Sequence, residues 1–132
     1  MYAASHLPAA RGLRCLQLSI HTEVIEIRVR CVATAAMCPI CDKPSGRIHS
    51  RYGRTLADLP WHGIPVRIDL LVRRFFCDTP TCPRRIFAER LGAAAAAYAR
   101  KTWRLVEALD CIAFTCGGEP GARLGTRLGM KL

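Results

Sequence analysis

The chain has 132 residues, 51% of them hydrophobic and 23% charged, which is the composition of a globular chain and excludes a disordered one. This length allows one ordinary domain or two very small ones, so we expect a compact core that a metal or disulfides would help to stabilise. Twenty Lys and Arg residues against ten Asp and Glu residues give a formal charge of +10, which favours a polyanionic partner.

A membrane partner is not expected. No stretch approaches the roughly 20 apolar residues that a spanning helix needs. The N-terminal residues MYAASHLPAARGLR have no charged segment leading into an apolar run, so they do not resemble a secretory signal. We therefore expect a cytoplasmic protein.

Residues 13–30 predict a first β-hairpin. Their sequence, LRCLQLSIHTEVIEIRVR, alternates apolar and polar side chains on both sides of a polar turn near His21 and Thr22. The residues that follow, VATAAM, form a short apolar lead into CPICDKPSG, which contains too many turn formers to be a regular element.

Residues 47–56 and 66–76 predict a second pair of strands, with DLPWHGIP as a loop rich in Pro and Gly between them. At about 3.3 Å per residue the two strands have similar lengths, so an antiparallel hairpin returns the chain to its starting point. This topology predicts that Cys77 lies beside Cys41.

The C-terminal part of the sequence predicts two helices. The longer one spans roughly Ala95–Phe114 and ends at Gly117 and Gly118. Its predicted apolar stripe consists of Tyr98, Leu105, Leu109 and Ile112. A shorter helix is predicted from about Glu119 to Leu128.

Two short cysteine brackets, C-P-I-C and C-D-T-P-T-C, flank the second hairpin. A tetrahedral zinc ion needs four ligands at about 2.3 Å, and two tight turns can supply them if each donates two thiolates. In a reducing compartment such brackets are metal ligands or catalytic thiols more often than disulfides. The predicted zinc ligands are Cys38, Cys41, Cys77 and Cys82.

Two alternatives for these cysteines stay open, namely a thioredoxin-like dithiol of Cys38 and Cys41, and buried or disulfide-bonded cysteines. The other cysteines lie singly on apolar strand and helix faces and are predicted as small core residues. They are Cys15, Cys31, Cys111 and Cys116.

Taken together, the predicted strands and helices indicate an α+β fold. A zinc-ribbon-like module of antiparallel β-hairpins is expected over residues 13–92 and a helical segment over residues 93–132.

Basic residues concentrate around the two brackets, where acids are few, so the local field is strongly positive. An ordinary solvated charged face is one interpretation. Arginine forks suit phosphate better than lysine point charges, which favours nucleic acid. The candidate DNA contacts are Arg47, Arg51, Arg54, Arg73, Arg74, Arg84, Arg85, Arg100, Lys101 and Arg104.

Several long runs of the sequence resemble a known family. C-P-x-C, RIHSRYGRTLADLPW and VRRFFCDTPTCPRRIFAER closely resemble the N-terminal zinc-finger region of the insertion-sequence transposases called the IS-L-three family. YARKT and GGEPGARLGTRLGM resemble the helix-turn-helix segment that follows in that family. The resemblance covers nearly the whole chain from about Leu13 onward.

The resemblance implies that Cys38, Cys41, Cys77 and Cys82 hold zinc and that the region binds the terminal inverted repeats of a mobile element's DNA. Relatives continue into a recognition helix and a catalytic domain with an Asp-Asp-Glu metal site. We therefore expect this chain to be a truncated form with an incomplete helix-turn-helix. Two-metal phosphoryl transfer needs converging carboxylates, and the acids here are scattered, so no catalytic site is predicted.

The sequence leaves three candidate functions. The leading one is a zinc-stabilised DNA-binding module of a transposase, associated with the nucleoid and lacking the catalytic domain. The second is a protein-interaction module that self-associates or inhibits a full-length transposase. The third is a redox enzyme that uses Cys38 and Cys41, which tight zinc binding would exclude because metal-bound thiolates are not free to cycle.

Overall fold

The computed structural model describes residues 12–91, 94–130 and 132, and it has the predicted α+β arrangement. The strands in these ranges are β1 (Leu13–Ile20), β2 (Ile25–Cys31), β3 (Ala36–Met37), β4 (Pro44–Ser45), β5 (Ile48–Trp61), β6 (Ile64–Phe76) and β7 (Ile86–Ala88). The helices are α1 (Trp103–Cys116) and α2 (Gly118–Arg127). Strands β1, β2, β6 and β5 lie side by side in that order, β7 pairs with β6, and β3 and β4 form a separate small sheet.

The first predicted hairpin is confirmed, since β1 pairs antiparallel with β2. The hairpin joins the rest of the sheet through a parallel pairing of β2 with β6, in which Ile25 lies opposite Val66. Strand β2 therefore has neighbours on both sides, and its residues Ile25, Ile27 and Val29 are buried. Strand β1 forms an edge of the sheet, and Ile20 on it is exposed.

The second hairpin is longer than predicted. The prediction of a loop over DLPWHGIP is wrong, because β5 and β6 both extend into this segment. The turn consists of His62 and Gly63, whose φ angles of 49° and 77° fit a two-residue hairpin turn that matches the twist of the strands. Pro60 lies where the pairing register shifts, which is a position in a strand that tolerates a residue without an N–H.

One face of the large sheet carries the main core. Ile27, Ile68 and Leu56 are register partners across three neighbouring strands, so they lie side by side on this face. The buried residues of this core are Ile25, Ile27, Val29, Leu56, Val66, Ile68, Leu70, Val72 and Ala95. Ala95 belongs to the segment that follows β7, and this segment therefore covers the apolar face of the sheet.

Helix α1 begins later than predicted. It starts at Trp103 and not near Ala95, because Thr102 has extended backbone angles and caps the helix. The Thr102 hydroxyl oxygen accepts a hydrogen bond from the N–H of Leu105 (3.4 Å), one of the donors that the first turn of a helix leaves unsatisfied.

The residues before Thr102 pair with strand β5 and do not form a helix. The N–H of Ala57 donates to the carbonyl of Arg100 (2.8 Å), and the N–H of Thr102 donates to the carbonyl of Ala57 (3.0 Å). The predicted apolar stripe is consequently wrong at Tyr98, which precedes the helix, has a φ of 60° and is 82% exposed. Tertiary contacts thus override the helix propensity of the alanine run.

The shorter helix is confirmed as α2, and Gly117 ends α1 with a φ of 79°, as the glycine pair predicts. The two helices pack closely, because a Cβ added at Gly121 would lie 3.3 Å from a methyl carbon of Ile112. The helix-turn-helix interpretation of this pair stays a prediction. Within the described ranges no helix is long and apolar enough to cross a membrane.

The predicted division of the chain between residues 92 and 93 falls outside the described residues and stays a prediction. On its C-terminal side, Ala95 packs in the main core and Leu105 is fully buried. The segment after β7 therefore shares its core with the sheet.

A buried carboxylate holds the start of α1 against the sheet. Asp58 on β5 is 1% exposed. Its Oδ1 accepts hydrogen bonds from the Thr102 hydroxyl (2.7 Å) and from Nε of Arg104 (2.8 Å), and its Oδ2 pairs with the same guanidinium. A buried charge of this kind is tolerated because its oxygens are all hydrogen-bonded.

We expect Asp58→Ala to lower the free energy of unfolding by about 3 kcal/mol, because it removes the buried carboxylate that binds the Arg104 guanidinium and accepts the hydrogen bond from the Thr102 hydroxyl. Urea denaturation of zinc-loaded protein measures this change. Asp110→Ala, at an exposed position on α1, is the matched control and should change stability by less than about 0.5 kcal/mol. Equal effects of the two substitutions would contradict a structural role for Asp58.

Candidate metal centre and basic surface

The sulfur atoms of the two predicted brackets come together. Sγ of Cys38 lies 3.9 Å from Sγ of Cys82, and Sγ of Cys41 lies 3.7 Å from Sγ of Cys77. All four sulfurs lie within 4.8 Å of one another. A tetrahedral zinc ion with Zn–S bonds of about 2.3 Å separates its ligands by about 3.8 Å, so the arrangement fits zinc.

The first bracket is a tight turn between β3 and β4. The N–H of Cys38 donates to the carbonyl of Lys43 (3.0 Å), and the N–H of Asp42 donates back to the carbonyl of Cys38 (2.9 Å). Asp42 has a φ of 58°, which reverses the chain directly after Cys41. A thioredoxin-like dithiol would start a helix, so the structure does not support that alternative.

The second bracket is held from both ends. The N–H of Cys77 donates to the carbonyl of Arg85 (2.8 Å), and the N–H of Cys82 donates to the carbonyl of Thr79 (3.1 Å). Between these bonds, Asp78 accepts a hydrogen bond from Nε of Arg47 (3.1 Å). This ion pair links the second bracket to the residue before β5.

A small second core supports the metal centre. Phe75 on β6 and Phe87 on β7 stack with their ring centroids 5.9 Å apart, and Cys38 is buried against them. Alternation along β6 places Phe75 on the opposite face of the sheet from Val72. The metal centre therefore lies over the Phe75 end of that opposite face, whose remaining residues, such as Leu71 and Arg28, are exposed.

The surroundings change the acidity of two of the predicted ligands. A hydrogen bond with the Thr79 hydroxyl, together with one from the backbone of Lys43, lowers the pKa of Cys41 to about 6. Burial raises the pKa of Cys82 to about 11. A bound zinc ion takes its sulfur ligands as thiolates, so binding would release the protons of these cysteines.

The remaining cysteines lie away from this cluster. Cys15 packs at the margin of the main core, as predicted. Cys31 is half-buried, and burial together with the nearby Glu89 raises its pKa to about 11. The core prediction is wrong for Cys111 and Cys116, which are exposed because most of α1 faces solvent.

Three of the predicted DNA contacts bind groups that hold the segment after β7 in place. Arg73 pairs with the buried carboxylate of Glu89, with Nη2 to Oε2 at 2.8 Å. Arg104 pairs with Asp58, and Arg54 donates to the backbone carbonyl of Ala96 (2.9 Å). These three arginines stabilise the segment between β7 and α1 or its junction with the sheet.

The other predicted contacts lie nearer to the surface. Arg51, Arg85 and Arg100 are exposed, and Lys101 is half-buried. Arg47 is exposed as well and lies 4.2 Å from the ring centroid of Phe76 while it pairs with Asp78. The charges of Arg51, Arg85 and Arg100 are therefore accessible to a partner.

Four of the predicted contacts meet in one cleft of about 590 Å³ between strands β5 and β7 and the segment after β7. They are Arg54, Arg74, Arg84 and Arg100. The cleft is also lined by Arg90, Tyr52 and Tyr98, which are absent from the predicted set of contacts. The sequence offers no signal for Tyr98, because the alanine-rich run around it is typical of a helix.

Residues 34–82 match the family model for the zinc-finger of transposase IS204/IS1001/IS1096/IS1165. The matched range contains all four clustered cysteines, so the match and the geometry together confirm a zinc-ribbon module and zinc as its cofactor. No curated protein and no solved structure matches the chain.

We expect the purified protein to contain one tightly bound zinc ion, and its removal by a chelator to unfold the region between Cys38 and Cys82. The core next to the brackets, formed by Cys38, Phe75 and Phe87, is too small to keep this region folded without the metal. Metal analysis by mass spectrometry and circular dichroism melting before and after chelation measure both effects.

Cys82→Ser should lose tight zinc, and Cys111→Ser is the matched control, because Cys111 is an exposed thiol outside the cluster. If chelation leaves the melting curve unchanged, the metal does not support the fold. If both serine variants retain zinc, the assignment of Cys82 as a ligand is wrong.

Proposed function

We propose that the chain is a DNA-binding module that docks on the terminal inverted repeats of a mobile element, because residues 34–82 match the zinc-finger of transposase IS204/IS1001/IS1096/IS1165. Zinc, when bound, supplies a cross-link between the two brackets. The brackets and the β5–β6 hairpin then form a rigid base for the surrounding arginines. A DNA partner would place the protein at the nucleoid, in the cytoplasm.

The proposal rests on the unbalanced positive charge of the arginines beside the metal centre and along the cleft. Within the described ranges, Arg51, Arg85 and Arg100 have no carboxylate within ion-pairing distance. Arg74 and Arg84 likewise have no acidic partner there and line the basic cleft. Exposed guanidinium groups without counter-charges bind phosphate oxygens through paired hydrogen bonds, which is the sequence-independent part of DNA binding.

The carboxylates near these arginines have partners already. Asp58 is bound by Arg104, and Glu89 is bound by Arg73. Two-metal phosphoryl transfer uses several free carboxylates that converge on one point. We therefore propose that the described part of the chain docks on DNA, and we assign it no role in strand cleavage.

We expect binding to duplex DNA with a steep dependence on salt. If the exposed arginines contact roughly six phosphates, a plot of log affinity against log salt concentration should have a slope of about −5. Fluorescence anisotropy of a labelled duplex across a potassium chloride series measures the slope.

Arg85→Gln with Arg100→Gln should reduce the magnitude of this slope by about 2, because each lost phosphate contact contributes about 0.9. Arg28→Gln with Arg30→Gln removes the same charge from exposed positions on β2 and serves as the control. A parent protein that does not bind duplex DNA at low salt, or binds it with a flat salt response, would refute the proposed function.

Exposed apolar residues on the helices favour a second candidate function, a protein-interaction module. Phe114 is 91% exposed, and Trp103, Leu124 and Leu128 are exposed as well. Large exposed apolar residues that cluster on a surface mark sites of protein association. The occupant that we propose is a second copy of the chain or the corresponding part of a full-length transposase.

We expect sedimentation velocity to show concentration-dependent dimers that Phe114→Ser converts to monomers, because the substitution removes apolar area from the contact. Ile20→Ser, at an exposed apolar position on the edge strand β1, is the control and should leave the dimer intact. A protein that stays monomeric at every concentration and does not associate with a full-length relative would rule out this function.

A further inference from the structure

Tyr98 is presented to solvent at the mouth of the basic cleft. The loop that carries it is fixed by Arg54, whose guanidinium donates to the carbonyls of Ala96 and Ala99. Tyr98 itself has a left-handed φ of 60°, a conformation that is unfavourable for a residue with a Cβ. Most tyrosines bury much of their ring, so a ring that is 82% exposed on a fixed loop is available for a contact.

The walls of the cleft hold cations in fixed positions. The guanidinium of Arg74 lies 4.1 Å from the ring centroid of Tyr52, and its Nη1 donates to the Ser50 hydroxyl (3.4 Å). Arg84 donates from Nε to the carbonyl of Ile86 (3.1 Å), which leaves its terminal nitrogens as donors for a ligand.

A third cation, besides Arg74 and Arg84, lies at the mouth of the cleft. The guanidinium of Arg90 lies 5.9 Å from the ring centroid of Tyr98. The acid among the lining residues, Glu89, is bound by Arg73, so it does not offset the positive charge of the cleft. The cleft therefore offers donors for an anion next to an exposed aromatic face.

We infer that the cleft binds one unpaired nucleotide, with its phosphate held by Arg74 and Arg84 and its base stacked on Tyr98. Arginine forks match phosphate oxygens, and base stacking on an aromatic ring is the means by which proteins hold single strands. A base inside a duplex has both faces covered by its neighbours, so the ligand must be single-stranded or extrahelical.

The size and position of the cleft are consistent with this ligand. A volume of about 590 Å³ lies in the range of pockets that enclose small ligands. The cleft lies on the side of the sheet that carries Tyr52 and Arg54, the same face as the core residue Leu56. The inference rests on the proposed function for the presence of DNA and adds which part of the DNA enters the cleft.

Two labelled DNA probes test the inference, a blunt duplex and the same duplex with a single-stranded extension of about four nucleotides. We expect the parent protein to bind the extended probe more tightly. Tyr98→Ala should weaken binding to the extended probe by about 5- to 100-fold and leave binding to the blunt duplex unchanged, because only the extension can stack. Tyr98→Phe keeps the ring and should behave like the parent.

Three further variants separate stacking from charge and from backbone strain. Arg74→Gln with Arg84→Gln should abolish the preference for the extended probe, whereas Arg28→Gln with Arg30→Gln, on the other face of the sheet, should retain it. Tyr98→Gly removes the ring while it suits the positive φ, so its loss of preference would not arise from a strained loop. Zinc content and circular dichroism confirm that each variant is folded.

The outcomes distinguish failure of the inference from failure of the proposed function. If the parent protein binds the blunt duplex but Tyr98→Ala keeps the full preference for the extended probe, the cleft does not hold a nucleotide although the DNA-binding function stands. Equal weakening of both probes by Tyr98→Ala also overturns the inference. A parent protein that binds neither probe refutes the function and the inference together.

Discussion

The antiparallel pairing of β5 with β6 is the constraint on which the metal centre depends. The hairpin turns at His62 and Gly63, and at its far end Ile48 lies opposite Phe75, which brings the two cysteine brackets together. A shift of two residues in this register would move Cys77 by about 7 Å. Zinc–sulfur bonds of about 2.3 Å cannot span such a displacement. The geometry of a two-residue turn therefore decides whether a zinc ion can be bound on the order of 40 Å away.

Strand β5 also positions the cleft and the first helix, because alternate residues on one of its faces contact these different parts of the molecule. Tyr52 supports the guanidinium of Arg74, Arg54 holds the loop that carries Tyr98, and Asp58 holds the start of α1. These residues share the core face of the sheet, since their partners on β6 are the buried apolar residues of that face. A single strand thus places the metal centre, the cleft and the first helix relative to one another.

The features that could be predicted from the sequence are local or periodic. The cysteine spacing and the two-residue period of the strands indicated the four sulfur ligands and both hairpins. The start of α1 could not be predicted, because the helix propensity of the alanine run is overridden by hydrogen bonds to Ala57 and Arg54, which lie far away in the sequence. The same long-range contacts hold Tyr98 in a loop, so the prediction that it lies in a helix is wrong. The salt bridge of Arg73 with Glu89 could not be predicted either, because it depends on the register in which β7 pairs with β6.

The parallel pairing of β2 with β6 has a consequence for the order in which the protein folds. Strand β2 is synthesised before β6, its parallel partner. Until β6 is available, β1 and β2 form a two-stranded hairpin, which alone is marginally stable in water. The β5–β6 hairpin needs only contacts between neighbouring segments, which form faster than pairings that close long loops. The N-terminal hairpin must therefore dock late, onto a strand that has already paired. Until it docks, the free edge and the apolar face of β6 are open to other chains, so this step is where misassembly would begin.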